Sequence, residues 1–144
     1  MSVRRVSPAE AHGLMNEGYA YVDVRSLPEF DAGHPKGAYN VPLLHMLDGR
    51  MAPNHDFLEV MGRVFPKDKR IVVGCRTGRR SLQAAEILHQ AGYTSVVDCR
   101  GGFMGEADMF GRMVEAGWCD AGLPSAQTPE PGRTYPELSA KPIG

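Results

Sequence analysis

The residues with the clearest chemical potential form one segment, Cys75-Arg76-Thr77-Gly78-Arg79-Arg80-Ser81. It joins a predicted central strand, 70–74, to a predicted helix, 81–91. Ligands of open parallel sheets bind beyond the carboxyl ends of the strands, which is where Cys75 lies. A loop that enters a helix presents unpaired backbone N–H groups, and a curved run of them binds anions. The segment therefore predicts a cradle for a thiolate, a persulfide, thiosulfate or phosphate.

Two arginines of this segment lie where positive charge is unfavourable. Arg79 and Arg80 come at the start of the predicted helix, where the helix dipole disfavours positive charge. Local rules are broken most often at functional sites, so we expect an anion in the cradle to compensate. The loop N–H groups and the guanidinium groups together would favour the thiolate form of Cys75, as a sulfur nucleophile requires.

The elements that position this loop alternate between strand and helix. Short apolar, β-branched runs predict strands at 3–6, 19–24, 38–41, 70–74 and 95–98. Helical spacing and capping signals, among them Ser7-Pro8-Ala9-Glu10, predict helices at about 8–17, 26–32, 55–65 and 81–91. Residues 43–53 predict only a loop. This alternation predicts an α/β fold, a small parallel β-sheet with helices on both faces.

Size and composition indicate one globular domain. The chain has 144 residues, of which 42% are hydrophobic and 23% charged. We expect a domain over 1–127 and a Pro-rich tail over 128–144, either extended or lying as a strap across the domain. A net charge of -1 argues against nucleic-acid binding. The absence of a long apolar run argues against a membrane partner, and we expect a cytoplasmic protein.

Several other polar residues favour structural roles. Asp23, Arg25 and Glu29 are expected to form paired structural charges, and His34 a hydrogen-bonded loop anchor. Cys99 and Cys119 are expected to be buried small apolar residues rather than resolving thiols. The cysteines and histidines show no spacing typical of a metal site or a disulfide framework.

Four motifs together resemble one known family. The loop Cys75–Ser81 resembles the active-site loop of rhodanese domains, and Gly101-Gly102-Phe103 and Ala121-Gly122-Leu123-Pro124 follow in the family's order. Upstream, the family's amino-terminal signature is matched by Val22-Asp23-Val24-Arg25, Glu29-Phe30, Gly33-His34, Gly37-Ala38 and Asn40-Val41-Pro42. The motifs span residues 3 to 124. The chain is identified as a member of the rhodanese-like, thiosulfate sulfurtransferase family.

The resemblance implies covalent sulfur transfer through Cys75. The thiolate would attack the outer sulfur of a small anionic donor, become a persulfide and pass the sulfur to a thiol or protein acceptor. The loop would bind the transferring group through the N–H groups of residues 76–80 and the side chains of the arginines. The resemblance thus implies a set of substrate-binding residues: Arg76, Thr77, Gly78, Arg79, Arg80 and Ser81. Glycine at position 78 permits the tight turn. No cofactor is implied.

Two alternative functions remain open. Related phosphatases have the pattern C-x5-R, whereas Cys75 and Arg80 form C-x4-R and position 81 is serine. The shorter loop resembles the sulfurtransferase pocket and disfavours a phosphatase. A sulfur-relay binding module for a protein partner is compatible with the same residues. A segment longer than the family pattern, 105–118, would line the pocket entrance, dock a protein acceptor or form a stabilising cover.

Overall fold

The computed structural model describes residues 3–140. Its strands are Arg4–Val6 (β1), Ala20–Asp23 (β2), His34–Pro35 (β3), Tyr39–Asn40 (β4), Leu44–Leu47 (β5), Arg50–Pro53 (β6), Ile71–Gly74 (β7), Val96–Cys99 (β8), Glu106–Ala107 (β9), Met113–Glu115 (β10) and Ser125–Ala126 (β11). Its helices are Pro8–Asn16 (α1), Leu27–Ala32 (α2), Phe57–Val64 (α3), Arg79–Gln90 (α4) and Tyr135–Ser139 (α5).

Five parallel strands form the central sheet, in the order β1-β8-β7-β2-β4. Successive side chains of a strand point to opposite faces, so each strand contributes to two cores. On one face Val22 and Val73 pack with α3 and α4, and on the other Tyr21 and Val72 pack with α1 and α2. The predicted α/β fold with helices on both faces is confirmed.

Local signals place the start of α1 as expected. At the start of α1, the Glu10 N–H donates to Ser7 Oγ (3.1 Å) and the Ser7 N–H donates to Glu10 Oε1 (3.0 Å). This is the predicted capping box, with Pro8 in the first helical position. Helix α4 begins two residues earlier than predicted, at Arg79. Among residues 3–140, no helix is both long enough and apolar enough to cross a membrane.

The loop expected over 43–53 is instead a hairpin. Strands β5 and β6 pair antiparallel, with Met46 opposite Met51 and Leu47 opposite Arg50. Their two-residue connection is Asp48-Gly49, with φ of 50° and 76°. With positive φ at both positions, the turn has a twist that matches the right-handed twist of the strands. Asp-Gly is a strong sequence signal for a turn of this kind. The loop prediction was wrong, because Asp48-Gly49 closes residues 44–53 into a paired hairpin.

The segment 128–140 lies as a strap against the domain and contains α5. The carbonyl of Arg133 accepts a hydrogen bond from the Asn40 N–H (2.9 Å), and Arg133 Nη1 donates to the Gly37 carbonyl (2.6 Å). Asn54 Nδ2 donates to the Tyr135 hydroxyl (3.1 Å). Of the two arrangements expected for the tail, the described part adopts the strap. Residues 141–144 lie outside the described residues.

Candidate active site

Cys75 lies at the carboxyl edge of the sheet, directly after β7. The chain turns through Arg76 and Thr77 to Gly78, which is the N-cap of α4 and has φ of 102°. Only glycine adopts this left-handed conformation without strain. A Cβ at Gly78 would also approach the backbone nitrogen of Gly101 to 3.2 Å. The local conformation therefore agrees with the role expected for Gly78.

Three groups of the loop surround the Cys75 sulfur. The N–H groups of Gly78 and Ser81 donate to Sγ at 3.1 and 3.3 Å, and Ser81 Oγ lies 3.5 Å from it. Cys75 is buried, with 1% of its surface exposed. Donors aimed at a buried sulfur stabilise negative charge on it, as does the amino end of a helix. The loop can therefore hold a thiolate.

Arg80 is engaged by a carboxylate from another element. Its Nη1 and Nη2 atoms bind the two oxygens of Glu29 on α2 at 2.7 and 2.9 Å. Burial raises the pKa of Glu29, but the hydrogen bonds and charge of Arg80, together with Ser26, outweigh it and lower the pKa to about 2. For Arg80, the compensating anion at the start of α4 is thus Glu29. Glu29 is a paired structural charge, as predicted.

Arg76 and Arg79 differ from Arg80. Both are exposed, and neither forms an ion pair with any residue of the described chain. Arg76 lines a cleft that also includes Phe103 and Met104. Arg79 and Thr77 line a second cleft, with residues 105–107 on its other side. These two guanidinium groups remain available to an anion at the mouth of the site.

The motif Gly101-Gly102-Phe103 supports the loop from behind. The N–H groups of Phe103 and Met104 donate to the carbonyls of Cys75 (2.7 Å) and Arg76 (2.8 Å). A Cβ at Gly102 would overlap the Cys75 carbonyl oxygen and approach the Arg76 carbonyl carbon to 2.8 Å. The glycine is thus required by the close approach of two backbone segments.

Two supporting residues were missed by sequence reasoning. Arg5 of β1 binds Asp98 of β8 (Nε to Oδ2, 2.7 Å) and donates through Nη2 to the Gly78 carbonyl (3.3 Å). Burial raises the pKa of Asp98, although hydrogen bonds to Ser81 and Arg5 oppose the effect. Asp98 Oδ1 is the one buried side-chain oxygen or nitrogen of residues 3–140 without a hydrogen bond of good geometry. No local sequence signal links residues 93 positions apart.

The remaining charged residues near the loop are structural. Arg25 binds Asp23 (2.7 Å), donates to the Gly33 carbonyl (2.6 Å) and lies over the Phe103 ring (4.6 Å). This network joins β2 and α2 beside the Cys75–Ser81 loop. His34 is buried, with Nδ1 2.8 Å from the Phe30 carbonyl. The expected structural roles of Asp23, Arg25 and His34 are confirmed.

The other cysteines lie outside the loop. Cys99 is buried as expected, and burial raises the pKa of its thiol to about 12. Cys119 is exposed, so its predicted burial was wrong: Trp118 takes the buried position in this turn and directs its neighbour outward. Partial burial still raises the pKa of the Cys119 thiol, with Asp120 adding to the effect. Within residues 3–140, no three His, Cys, Asp or Glu side chains are placed to hold a metal ion.

The segment 105–118 forms a hairpin at the entrance of the site. Strands β9 and β10 pair antiparallel, and Asp108 accepts hydrogen bonds from the N–H groups of Phe110 and Arg112 in the turn. The segment returns to the core at Trp118, whose Nε1 donates to the Pro124 carbonyl (2.8 Å). Of its expected roles, lining the entrance agrees with the cleft beside Thr77 and Arg79.

Comparison with known proteins decides the family. The family model "Rhodanese-like domain" matches residues 7–106. The chain belongs to the rhodanese-like family. This rhodanese-like chain is 38% identical over 120 residues to thiosulfate sulfurtransferase 16, chloroplastic, of Arabidopsis thaliana, covering 83% of this chain and 90% of that protein. It is 31% identical over 124 residues to thiosulfate sulfurtransferase GlpE of Haemophilus influenzae (86% and 95%).

A further sequence relative and a solved structure are also similar to this chain. Senescence-associated protein DIN1 of Raphanus sativus is 40% identical over 94 residues, which is 65% of this chain and 51% of that protein. The crystal structure of Rv0390 from M. tuberculosis superposes with a TM-score of 0.74 at 28% identity, covering 89% of this chain and all of that one. Relatives that are thiosulfate sulfurtransferases support a sulfurtransferase activity, with a sulfur donor and acceptor.

Proposed function

We propose that this rhodanese-like protein transfers sulfane sulfur through a persulfide on Cys75. The observation that carries the proposal is the pair of donors on the Cys75 sulfur, the backbone N–H groups of Gly78 and Ser81. These groups stabilise a thiolate, which is the attacking species in sulfur exchange. The cytoplasmic location stays a prediction.

The reaction has two balanced steps. In the first, the Cys75 thiolate attacks the outer sulfur of a thiosulfate-like donor, a new S–S bond forms, and sulfite leaves with the electron pair of the broken bond. In the second, the acceptor nucleophile attacks the outer sulfur of the persulfide, and Cys75 leaves as a thiolate. The same N–H groups support the thiolate in both steps. No cofactor is required, because the electrons move only between sulfur atoms and the acceptor.

The loop favours an anionic donor. Arg76 and Arg79 form no ion pair within the described chain, whereas both Nη atoms of Arg80 bind Glu29. We therefore assign donor binding to the side chains of Arg76 and Arg79, and positioning of the loop to Arg80. Thr77 and Gly78 contribute the backbone turn between Arg76 and Arg79. Each charge-assisted contact to a partly desolvated donor is worth about 1.5–3 kcal/mol.

The test is the intact mass of the purified protein after incubation with thiosulfate. The expected result is a reducible adduct of one sulfur atom, absent from Cys75→Ala and retained in Cys99→Ala and Cys119→Ser. An Arg76→Gln/Arg79→Gln double variant should load much more slowly from thiosulfate than from a neutral trisulfide donor.

Two outcomes would contradict the proposal. Turnover of a phosphate ester without any sulfur adduct would support the phosphatase alternative. Loading by a protein persulfide, with thiosulfate inert at all concentrations, would support a sulfur-relay module and contradict the assignment of Arg76 and Arg79 to an inorganic donor.

A further inference from the structure

Exposed apolar side chains are concentrated on the segment 104–115, here called the entrance hairpin. Of the nine large apolar side chains exposed among residues 3–140, five belong to it: Met104, Met109, Phe110, Met113 and Val114. Met109 is 89% exposed and Phe110 75% exposed. Single exposed apolar residues are ordinary, whereas a contiguous group of them marks an interaction site. None of the five belongs to either buried core.

The entrance hairpin lies beside the catalytic loop. Residues 105–107 share a cleft with Thr77 and Arg79, and Met104 shares the neighbouring cleft with Arg76. Its base is fixed to the loop, because the Met104 N–H donates to the Arg76 carbonyl at 2.8 Å. A molecule seated on the hairpin is therefore held beside the loop that carries Cys75.

The second property of the surface formed by the hairpin and the Cys75–Ser81 loop is its charge. Two acidic residues of the hairpin are paired, Asp108 with Arg112 (3.1 Å) and Glu106 with Arg100 (3.4 Å). Its third, Glu115, is half-buried beside Gly101 and forms no ion pair within the described chain. The uncompensated cations nearby are Arg76 and Arg79, for which the described chain provides no carboxylate partner. The exposed surface is thus apolar at the tip of the hairpin and positive at the catalytic loop. Its complement is both apolar and acidic.

A small donor explains only part of this surface. A thiosulfate-sized anion can engage the two arginines, but it cannot cover the side chains of Met109 and Phe110 at the tip. The Cys75 sulfur is buried, so an acceptor must reach it with a narrow group. A cysteine side chain on an extended protein segment meets both requirements, with apolar neighbours for the hairpin and carboxylates for the arginines.

We propose that the entrance hairpin docks a protein sulfur acceptor whose cysteine lies in an extended segment flanked by acidic and apolar side chains. This proposal rests on the sulfur-transfer function proposed for Cys75. In the transfer step, the acceptor thiolate attacks the outer sulfur of the Cys75 persulfide. The new S–S bond forms on the acceptor, and the Cys75 thiolate leaves with the electron pair of the broken S–S bond.

The test uses two blocked peptides as acceptors, each with one cysteine between leucines and flanked by either aspartates or lysines. Thiosulfate-loaded protein is mixed with each peptide and, separately, with dithiothreitol, and persulfide transfer is followed by mass spectrometry. We expect kcat/KM for the aspartate peptide to exceed that for the lysine peptide by about tenfold or more at low salt. High salt should reduce the difference.

The matched variants are M109S/F110S on the entrance hairpin and M46S/L47S on the β5–β6 hairpin. All four side chains are exposed, so both variants should fold as the wild type does. M109S/F110S should lower kcat/KM for the aspartate peptide about tenfold and leave the dithiothreitol rate unchanged. M46S/L47S should change neither rate.

The outcomes separate the two proposals. If thiosulfate leaves no sulfur on Cys75, the proposed function fails, and the docking proposal that rests on it is overturned with it. If Cys75 loads but both peptides react equally, or both variants behave alike, the docking proposal is overturned while the function stands. If M109S/F110S converts a dimer to a monomer without changing the peptide rates, the hairpin binds a second copy of this chain, which also overturns the proposal.

Discussion

Replacing Glu29 by glutamine tests whether the ion pair with Arg80 stabilises the Cys75–Ser81 loop. The pair is bidentate and mostly shielded, with 22% of the Glu29 side chain exposed. Burial raises the pKa of Glu29, but Arg80 and the hydrogen bonds from Ser26 together lower it from 4.5 to about 2, a difference that corresponds to at most about 3.4 kcal/mol for all these contacts. Solvent screening of a partly exposed pair reduces this, so we expect Glu29→Gln to lower the free energy of unfolding by about 1–2 kcal/mol at pH 7.

The pH dependence gives the sharper test. A carboxyl group with a lowered pKa in the folded state stabilises the fold fully above its unfolded pKa, about 4.5. This contribution is lost as the pH falls from about 4.5 towards 2, because protonation then costs the folded state more than the unfolded state. The stability difference between wild type and Glu29→Gln should therefore be constant above about pH 5 and shrink below it.

The assay is urea denaturation of both proteins between pH 7 and pH 3, followed by circular dichroism. Glu59→Gln, which removes an exposed carboxylate on α3, is the matched control and should show no comparable change. A difference between wild type and Glu29→Gln that is absent at pH 7, or that stays constant down to pH 3, would refute the role assigned to the ion pair.

Three further substitutions test the supports of the site and the core. Gly102→Ala would force a methyl group against the Cys75 carbonyl at a φ of 60°, and should lower kcat/KM for sulfur transfer about a hundredfold while the protein stays folded; wild-type turnover would contradict this. Trp118→Ala removes the largest fully buried side chain of the described chain and should lower the free energy of unfolding by about 3–5 kcal/mol in urea denaturation; a loss below about 1 kcal/mol would contradict it. Arg5→Met leaves the Asp98 carboxylate buried without a counter-ion and should cost about 2–3 kcal/mol at pH 7, reduced in an Asp98→Asn background; equal costs in the two backgrounds would refute the pairing.

Local patterns accounted for most of the fold. The Ile-Val-Val run of β7, the capping box at Ser7 and the helical spacing of Ala84, Ala85 and Leu88 each depend on residues close in sequence, and each was predicted correctly. The hairpin over 44–53 was missed although its Asp48-Gly49 signal was present. Helix α5 was also missed, because it is short and lies in a Pro-rich segment.

The sequence by itself determined the family, the alternation of strands and helices, and the Cys75–Ser81 loop as the candidate site, because these depend on residue type and short-range order. Tertiary structure alone decided that Arg80 forms an ion pair, whereas Arg76 and Arg79 form none within the described chain. Arg80 meets Glu29 across 51 residues, and Arg5 meets Asp98 across 93. Such pairs form only in the assembled domain, because Arg5 and Asp98 lie on neighbouring strands and Arg80 and Glu29 on two different helices. The same packing buries Trp118 and turns Cys119 outward. Local patterns carry no information about these contacts, because their partners are chosen by the order of the strands.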